Sequence, residues 1–395
     1  MSCVKDRYLY DRSVMVRKIF AYVTGGILTL LLPASVGLSY RSYVEEMENT
    51  RDEQKSFYRE IIDEESSWIS GLQLDNGAVL LYEPDNGSQG HINPYFACQA
   101  MLGLVSDPEG RYLDQVGKYL SWHTDRIIEG NGTVTDYDVE NGELVSTGKA
   151  DSFDSYAAEY ILLLSEYLKR SGQVPDASQD TALRLLAGGF EEVLLNDVTY
   201  VNNKMRIAYF MDNNEVLEAV QLLEDRPEYE KVKAVLQTSV PERFYMADKG
   251  LYSVGIGNDG MLTGEPDLTD FYPDALAQLY PVVTGVVSPK GEREKRLYEQ
   301  VCSLYRWEEG DDLSENFDWS VMCYVAACMS DIERTDKYLG LYREDVKKDR
   351  SYPMHTANAG WVMRCCSKRM EQIDEEYESK TKFGTYINWL IGEVL

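Results

Sequence analysis

Pairs of carboxylates stand at the starts of four predicted apolar helices. In each pair, one acid lies at the helix start and the second lies three or four residues further along the chain. Helix N-termini favour capping and negatively charged side chains, which explains the first acid. The second would point into the interior of the fold, where a charge costs free energy unless it is solvated or used. The pairs are Asp151 and Asp154, Asp212 and Glu215, Asp270 and Asp274, and Glu315 and Asp318.

The motifs that are missing narrow the chemistry open to these acids. With three histidines, the sequence has no HExxH zinc motif and no histidine-rich metal cluster, and it lacks phosphate-binding and nucleophile-elbow motifs. Glycoside hydrolysis needs only carboxylates: one acid protonates the leaving oxygen and another activates water or attacks the sugar. We therefore expect a carbohydrate-cleaving enzyme with no cofactor and no metal. Asp154 is the first candidate for catalysis, with Asp212 and Asp274 as alternatives.

The same helix starts carry amide and aromatic side chains that could contact a sugar. Aromatic rings offer an apolar face, and amides and acids offer hydrogen bonds that fix the orientation of a ligand. The candidate substrate-binding residues are Asn93, Tyr95, Tyr156, Glu215, Tyr272, Asp318, Trp319 and His355.

Two kinds of helix alternate from Arg51 onward, and their order predicts how these side chains meet. A helix that is apolar on nearly all sides must be buried, and an amphipathic helix must cover it. Their regular repetition is typical of a repeated helical hairpin. Amphipathic helices are predicted over 51–69, 110–128, 178–195, 228–240, 291–306 and 331–348. Apolar helices are predicted over 93–105, 152–168, 212–223, 270–287, 316–329 and 356–370.

Six such hairpins predict an all-α fold, an (α/α)6 toroid over residues 51–395. An open solenoid is the alternative, but a solenoid needs polar terminal caps and the last unit here keeps an apolar inner helix. All inner helices of a toroid run the same way, so their N-termini would meet at one mouth. Short segments at 78–82, 132–135 and 250–254 are predicted to form β-hairpin loops at that mouth.

The first forty residues differ from the rest of the chain. Arg17 and Lys18 precede an apolar segment, 19–32, and small residues follow it, an order typical of a secretory signal peptide. Counted through Tyr40, the segment is also long enough for an uncleaved membrane anchor, and a buried N-terminal helix is the remaining alternative. We predict a signal peptide or anchor over 1–40, with the acidic body extracellular or facing outside on the membrane.

Charge and cysteine usage restrict the partners of this chain. The net charge is −28, from 67 acidic and 39 basic residues, and so acidic a surface repels nucleic acid. Seven cysteines show no metal spacing, and their odd number argues against a disulfide framework. We expect a monomer that binds a carbohydrate and meets a membrane through its N-terminal segment.

Four segments carry a resemblance to a known superfamily. The chain resembles the six-hairpin glycosidases over roughly residues 51–392, in INPYFACQAMLGLV (92–105), ADSFDSYAAEYILLLSEYL (150–168), FYPDALAQLYPVVTGV (271–286) and HTANAGWVM (355–363). The helix start at 151–158 is similar to that of family eight glycoside hydrolases, which include bacterial endoglucanases. This resemblance implies that Asp154 or Asp151 touches the sugar at the cleavage subsite.

The chain departs from the family eight pattern at the general acid. That family's acid is a glutamate in a Ser-Glu-Gly motif, and here the place reads Ile92-Asn93-Pro94. The acid would then be Glu83 or Asp274, or the protein would not hydrolyse at all.

Three functions are compatible with these residues. The first is an exported glycoside hydrolase. The second is a polysaccharide lyase on the same scaffold, and the third is a non-catalytic glycan-binding or exopolysaccharide-assembly protein. Eight carboxylates around one mouth would repel anionic polymers, so we expect a neutral or amino-sugar polysaccharide. Residues that could serve a lyase are His355, His91, Tyr95, Tyr272 and the single nearby cation Lys149.

Overall fold

Two compact units make up the chain: one formed by Met1–Phe57 and Met370–Leu395, and the other by Tyr58–Arg369. The computed structural model describes residues 2–84, 90–223, 225–310, 319–344, 346, 350 and 354–394, with side chains from residue 36 onward except 388, 389 and 391–394. Within these ranges, no helix is long and apolar enough to cross a membrane. A signal peptide or anchor over residues 1–40 stays a prediction.

The first unit is helical. It contains the first part of α1 (Ser2–Gly71), the last part of α12 (Thr356–Thr381) and α13 (Phe383–Val394). Tyr40 packs edge-on against Phe383, with ring centroids 5.2 Å apart. This contact joins the N-terminal and C-terminal segments of the chain.

The second unit is built from alternating outer and inner helices, as the sequence predicts. Ten of the twelve residues of α2 are buried, whereas α3 buries seven of seventeen along one face. The outer helices are the end of α1, α3 (Leu113–Glu129), α5 (Ala177–Val193), α7 (Glu230–Arg243), α9 (Glu292–Leu304) and α11 (Ile332–Glu344). The inner helices are α2 (Pro94–Val105), α4 (Phe153–Ser171), α6 (Phe210–Gln221), α8 (Leu276–Val283), α10 (Ser320–Cys328) and the start of α12.

The inner helices form a closed ring. Each of α2, α4, α6 and α8 contacts the next inner helix along the chain. Cys323 of α10 lies 3.3 Å from Cys365 of α12, measured between the Sγ atoms. Trp361 of α12 in turn donates a hydrogen bond of 3.2 Å to Gln99 of α2. The last inner helix therefore meets the first, which confirms the (α/α)6 toroid over the open solenoid.

One inner helix begins differently from its prediction. The helix expected over 270–287 opens with a wide turn at Phe271–Ala275, and regular helix follows only as α8. Pro273, which a cis peptide bond joins to Tyr272, lacks an N–H donor, and a residue before proline avoids the helical conformation. Tyr272 accordingly has the extended angles φ −120° and ψ 124°.

Short antiparallel strands lie beside the starts of inner helices. A three-stranded sheet precedes α2 and α4, and a two-stranded pair precedes α6. In chain order the strands are β1 (Gly90–Ile92), β2 (Tyr137–Glu140), β3 (Glu143–Ser146), β4 (Leu194–Leu195), β5 (Val198–Thr199), β6 (Ala208–Tyr209), β7 (Tyr245–Met246), β8 (Leu251–Tyr252) and β9 (Gly255–Ile256). The pairs are β1 with β2, β2 with β3, β4 with β5, β6 with β9 and β7 with β8.

Of the three segments predicted to form β-hairpins, one contains a strand. Segment 250–254 contains β8, but segment 78–82 makes only an isolated bridge, between Val79 and Gln73. Segment 132–135 forms no strand, because the Thr133 N–H bonds the Gly130 carbonyl in the turn that ends α3.

Candidate functional site

The starts of all six inner helices meet around one cavity. Its volume is about 300 Å³, and polar and aromatic side chains line it. Its position at the helix N-termini is the mouth that the sequence predicts. Each inner helix contributes a residue from its start or from the segment just before it: Asn93, Ser152, Tyr209, Tyr272, Ser320 and His355.

Seven of the thirteen predicted site residues line this cavity. Two of them, Asp151 and Asp212, are carboxylates. The others are Asn93, Tyr95, Tyr156, Tyr272 and His355. Their roles as catalytic or substrate-binding residues stay predictions.

The expected ring of eight carboxylates is smaller than predicted. Asp151 and Asp212 are its members on the cavity wall, and Asp154 and Glu215 are buried behind it. The remaining members do not line the cavity (Asp270 and Asp274) or lie outside the described residues (Glu315 and Asp318). Repulsion of an anionic polymer would thus depend on two carboxylates.

Glu83 and Asp274, the two alternatives for a general acid, lie away from the cavity wall. Glu83 is exposed and accepts a hydrogen bond of 2.9 Å from Trp68 Nε1. Asp274 Oδ1 accepts one of 2.7 Å from the backbone N–H of Asp267, which ties it to the preceding loop. Because a wide turn opens this helix, the side chain that faces the cavity is Tyr272.

Trp319 belongs to the core and not to the cavity wall. It is 4% exposed, and its ring packs edge-on against Phe271 with centroids 4.8 Å apart. The predicted sugar contact through Trp319 is therefore replaced by packing between neighbouring inner helices. Asp318, the other candidate on this segment, lies outside the described residues.

Asp212 is tied to the buried Asp154 through Ser152. The Ser152 Oγ lies 2.9 Å from Asp212 Oδ2 and also hydrogen-bonds Asp154 Oδ1. Burial raises the pKa of Asp212 well above its usual range, and the charges of Asp154 and Asp151 raise it further. Burial also raises the pKa of Asp154, although hydrogen bonds from Ser152 and the backbone lower it in part. A carboxyl group that retains its proton to unusually high pH thus faces the cavity.

Glu215 fixes two tyrosines of the cavity wall from behind. Its Oε1 accepts a hydrogen bond of 2.7 Å from the Tyr95 hydroxyl and another from the Tyr280 hydroxyl. Burial, followed by the charges of Glu159 and Asp212, raises the pKa of Glu215 well above its usual range. Glu215, predicted to contact substrate, instead positions residues that line the cavity.

His355 presents an uncharged imidazole to the cavity. Burial lowers its pKa to about 4, and its ring lies 4.6 Å from that of Phe96, between centroids. At neutral pH the ring is therefore uncharged.

The set of residues expected for a lyase is split: His355, Tyr95 and Tyr272 line the cavity, and the other two members do not. His91 lies in β1 with its Nδ1 2.8 Å from Asp138 Oδ1, and neither His91 nor Lys149 lines the cavity. Of the lining residues that the structure describes, none is lysine or arginine. A substrate carboxylate would meet no opposite charge from them.

Several polar residues of this region, Ser152, Asp136 and Tyr280 among them, are not predicted as site residues by the sequence. Asp136 Oδ1 accepts a hydrogen bond of 2.9 Å from the Tyr156 hydroxyl, which itself accepts one of 2.9 Å from Asn93 Nδ2. Only Ser152 carries a usable sequence signal, since it is a hydroxyl between Asp151 and Asp154. Asp136 and Tyr280 become partners through packing of segments far apart in the chain.

Further along the inner helices lies a buried ionisable cluster. Burial raises the pKa of Glu159 to about 7 and that of Glu218 to about 8, and the charge of Arg364 lowers both. The Arg364 guanidinium lies 4.3 Å from the ring centroid of Trp361. The spacing of Glu215 and Glu218, one turn apart on α6, is the sequence signal that they share a face.

Solved structures with this fold include proteins described as glycosidases and a sugar epimerase. A glycosidase is similar at a TM-score of 0.56 and 12% identity, over 81% of this chain and 98% of that one. An alpha-amylase from Clostridium perfringens is similar at 0.54 and 11%, over 77% and 96%. A cellobiose 2-epimerase from Spirochaeta thermophila is similar at 0.53 and 12%, over 80% and 98%.

No family model and no curated protein sequence matches the chain. The likeness to family eight glycoside hydrolases therefore stays a prediction, whereas the chain shares its (α/α)6 fold with these solved structures.

Proposed function

We propose that the chain is a glycoside hydrolase in which Asp212 is the general acid and Asp151 the second carboxylate. The observation that carries this is a cavity wall with two carboxylates in unlike surroundings. Burial and neighbouring charges favour the protonated form of Asp212, whereas Asp151 is exposed to solvent. Glycoside hydrolysis needs one group that gives a proton to the leaving oxygen and one that activates water or attacks the anomeric carbon.

The aromatic wall supports a sugar as the ligand. Tyr272 lines the cavity and remains 47% exposed, so its ring is open to a bound molecule. Tyr95 and Tyr156 stack with centroids 5.9 Å apart on the same wall. Flat rings beside hydrogen-bonding groups suit a sugar, which has both apolar faces and hydroxyl groups.

The charges of the cavity favour a neutral or amino-sugar glycan. Asp151 and Asp212 line it, and none of the described lining residues is lysine or arginine. A uronate would bring like charge into this site without a counter-charge. One of the structures with this fold is described as a glycosidase in complex with glucose, a neutral sugar (TM-score 0.54, 11% identity).

A sugar epimerase is the second candidate, and His355 is the observation that favours it. Epimerisation moves a proton at a sugar carbon and needs a base that is uncharged at the working pH. His355 lines the cavity and is uncharged at neutral pH, although the burial that lowers its pKa to about 4 also makes it a weak base. One of the similar structures is described as a cellobiose 2-epimerase.

A glycan panel separates these functions. Neutral, amino-sugar and uronate oligosaccharides are incubated with the protein, and new reducing ends and sugar isomers are measured separately. We expect new reducing ends from neutral or amino-sugar substrates. Sugar isomers without new reducing ends would contradict the glycosidase and favour a sugar epimerase.

Variants then test the assignment of the acids. Asp212→Asn and Asp151→Asn should each lower turnover on the order of a hundredfold or more, since each removes a proton donor or acceptor. Asp270→Asn is the matched control, because Asp270 is an exposed acid at an inner-helix start that does not line the cavity. Equal rates for Asp212→Asn and Asp270→Asn would contradict the role of Asp212.

A further inference from the structure

Ser152 lies between two carboxyl groups and hydrogen-bonds to both. Its Oγ is 2.9 Å from Asp212 Oδ2, and its other bond goes to Asp154 Oδ1. A serine hydroxyl has one proton, so it can donate to only one of them. The other bond exists only if that carboxyl is protonated and donates to Ser152 Oγ. Asp154, Ser152 and Asp212 together therefore hold one carboxyl proton.

The bonds around Asp154 indicate which carboxyl carries this proton. Besides its bond with Ser152, Asp154 Oδ1 accepts a hydrogen bond of 3.2 Å from the backbone N–H of Ser155. A hydrogen bond from a backbone N–H stabilises the ionised form of a carboxyl group, so this bond favours ionised Asp154. The proton then belongs to Asp212, which donates to Ser152, and Ser152 donates to Asp154.

We propose that Ser152 and Asp154 are positioning residues that keep the general acid, Asp212, protonated until a substrate takes the proton. The role of Asp212 as general acid in this proposal rests on the proposed function. The proton shared by Asp154, Ser152 and Asp212 does not depend on it. In hydrolysis the Asp212 proton passes to the glycosidic oxygen as the C–O bond breaks, and the electron pair of that bond stays on the oxygen. Water then gives hydroxide to the anomeric carbon and its proton to Asp151.

The surroundings of Asp212 act in the same direction. The titratable groups that face it come from several segments and are carboxyls or phenols: Asp151, Asp154, Tyr209, Glu215 and Tyr272. Each carboxylate among them disfavours a second charge on Asp212. Ser152 is 5% exposed and Asp154 0%, so solvent has little access to their hydrogen bonds.

Removal of either positioning residue should make Asp212 a stronger acid. Asp154→Asn removes the charge that faces Asp212. Ser152→Ala removes a hydrogen bond that stabilises the ionised form of Asp154, so Asp154 takes up the proton. Uncharged Asp154 then no longer repels a charge on Asp212, as in Asp154→Asn. In both variants the midpoint of the Asp212 titration should move to lower pH, by about one to three pH units. Ser152→Thr keeps the hydroxyl and should keep the original midpoint.

The test reads the proton directly by infrared spectroscopy on the whole chain. The carbonyl stretch of a protonated carboxyl group is followed against pH, and subtraction of the spectrum of the same protein with Asp212→Asn added isolates Asp212. Circular dichroism establishes that each variant is folded. Unchanged midpoints in folded Asp154→Asn and Ser152→Ala would overturn the proposal, and Asp154→Asn alone decides it if Ser152→Ala does not fold.

A parallel activity measurement separates this proposal from the proposed function. If the protein hydrolyses a glycan, the basic limb of its pH–rate profile should shift with the infrared midpoint in each variant. An infrared shift without any hydrolysis by the unaltered protein would leave the shared proton in place and remove the glycosidase proposal. Hydrolysis by the unaltered protein without an infrared shift in the variants would keep the glycosidase proposal and remove the shared proton.

Discussion

Gly103 of α2 and Gly360 of α12 approach each other so closely that a Cβ atom on Gly103 would lie 2.5 Å from the Cα of Gly360. A Cβ atom on Gly360 would lie 2.3 Å from the backbone oxygen of Gln99, again on α2. Real Cβ atoms do not tolerate such distances to backbone, which cannot turn aside as a side chain can. The first and last inner helices thus meet backbone to backbone, and this contact closes the toroid.

Substitution at this contact should loosen the ring. We expect Gly103→Ala to destabilise the protein by about 1–3 kcal/mol, because the added methyl group forces α2 and α12 apart. Chemical unfolding of the variant measures the loss. Gly340→Ala in α11 is the control, since no atom lies within 4 Å of its added Cβ, and it should be neutral or stabilising by up to about 1 kcal/mol. Equal stability of the two variants would contradict a tight closure.

Loss of the aromatic ring at the cavity rim should weaken substrate binding more than chemistry. We expect Tyr272→Ala to raise KM between about twofold and tenfold, as an aromatic contact contributes about 0.5–1.5 kcal/mol. Tyr272→Phe keeps the ring and should stay near the original KM. Steady-state kinetics on the substrate found in the glycan panel checks both. A KM unchanged by Tyr272→Ala would place the sugar elsewhere in the cavity.

The buried Glu159 should make stability fall as pH rises. Its pKa is raised by burial from 4.5 to about 7, so its contribution to stability is complete below pH 4.5 and is lost as pH rises through 7. Glu159→Gln removes this dependence. Between pH 5 and pH 8 it should therefore lose less stability than the unaltered protein, by on the order of 1–3 kcal/mol.

Urea unfolding at both pH values measures this difference. Glu192→Gln, at an exposed position of α5, is the control and should follow the unaltered protein. His355 has the opposite sign, because its pKa is lowered to about 4 and its contribution is lost as pH falls from about 6.5. Because both groups act in this range, the free energy of unfolding of each variant is compared with that of the unaltered chain at the same pH. A Glu159→Gln protein with an unchanged slope would show that other groups set the pH dependence.

We propose that the chain is exported, since Arg17 and Lys18 precede the apolar segment 19–32. Cell fractionation should find the protein in the membrane fraction or outside the cell. Replacement of Arg17 and Lys18 by glutamate should reduce that share, because the basic end guides orientation at the membrane. Full-length protein confined to the cytosol would contradict export.

The ring of helices could be predicted from the sequence because the apolar pattern of each helix shows by itself whether that helix is buried. A helix such as α2, which is apolar on nearly all sides, belongs inside whatever its neighbours are. The common mouth follows, since successive hairpins present the same end of their inner helices. Asn93, Tyr95 and His355 stand at the starts of such helices, so their place at this mouth is predictable from the sequence.

The roles of individual acids could not be predicted, because they depend on how each helix is rotated about its axis. Asp154 stands in the first turn of α4 as Asp212 does in that of α6, and Glu215 lies about one turn further along α6, yet packing places Asp154 and Glu215 behind the wall. The hydrogen bond between Ser152 and Asp212 joins residues 60 positions apart. No pattern within either helix contains that contact.

The cavity takes its wall from every inner helix, so it has consequences for a nascent chain. Asn93 and His355 face one cavity although 262 positions separate them in the sequence. Synthesis proceeds from the N-terminus, and the last part of the wall emerges from the ribosome only when α12 does. The hairpins made first can bury apolar surface as they appear, but none of them holds a complete pocket. A truncated translation product that lacks α12 is accordingly an unclosed ring without the complete cavity.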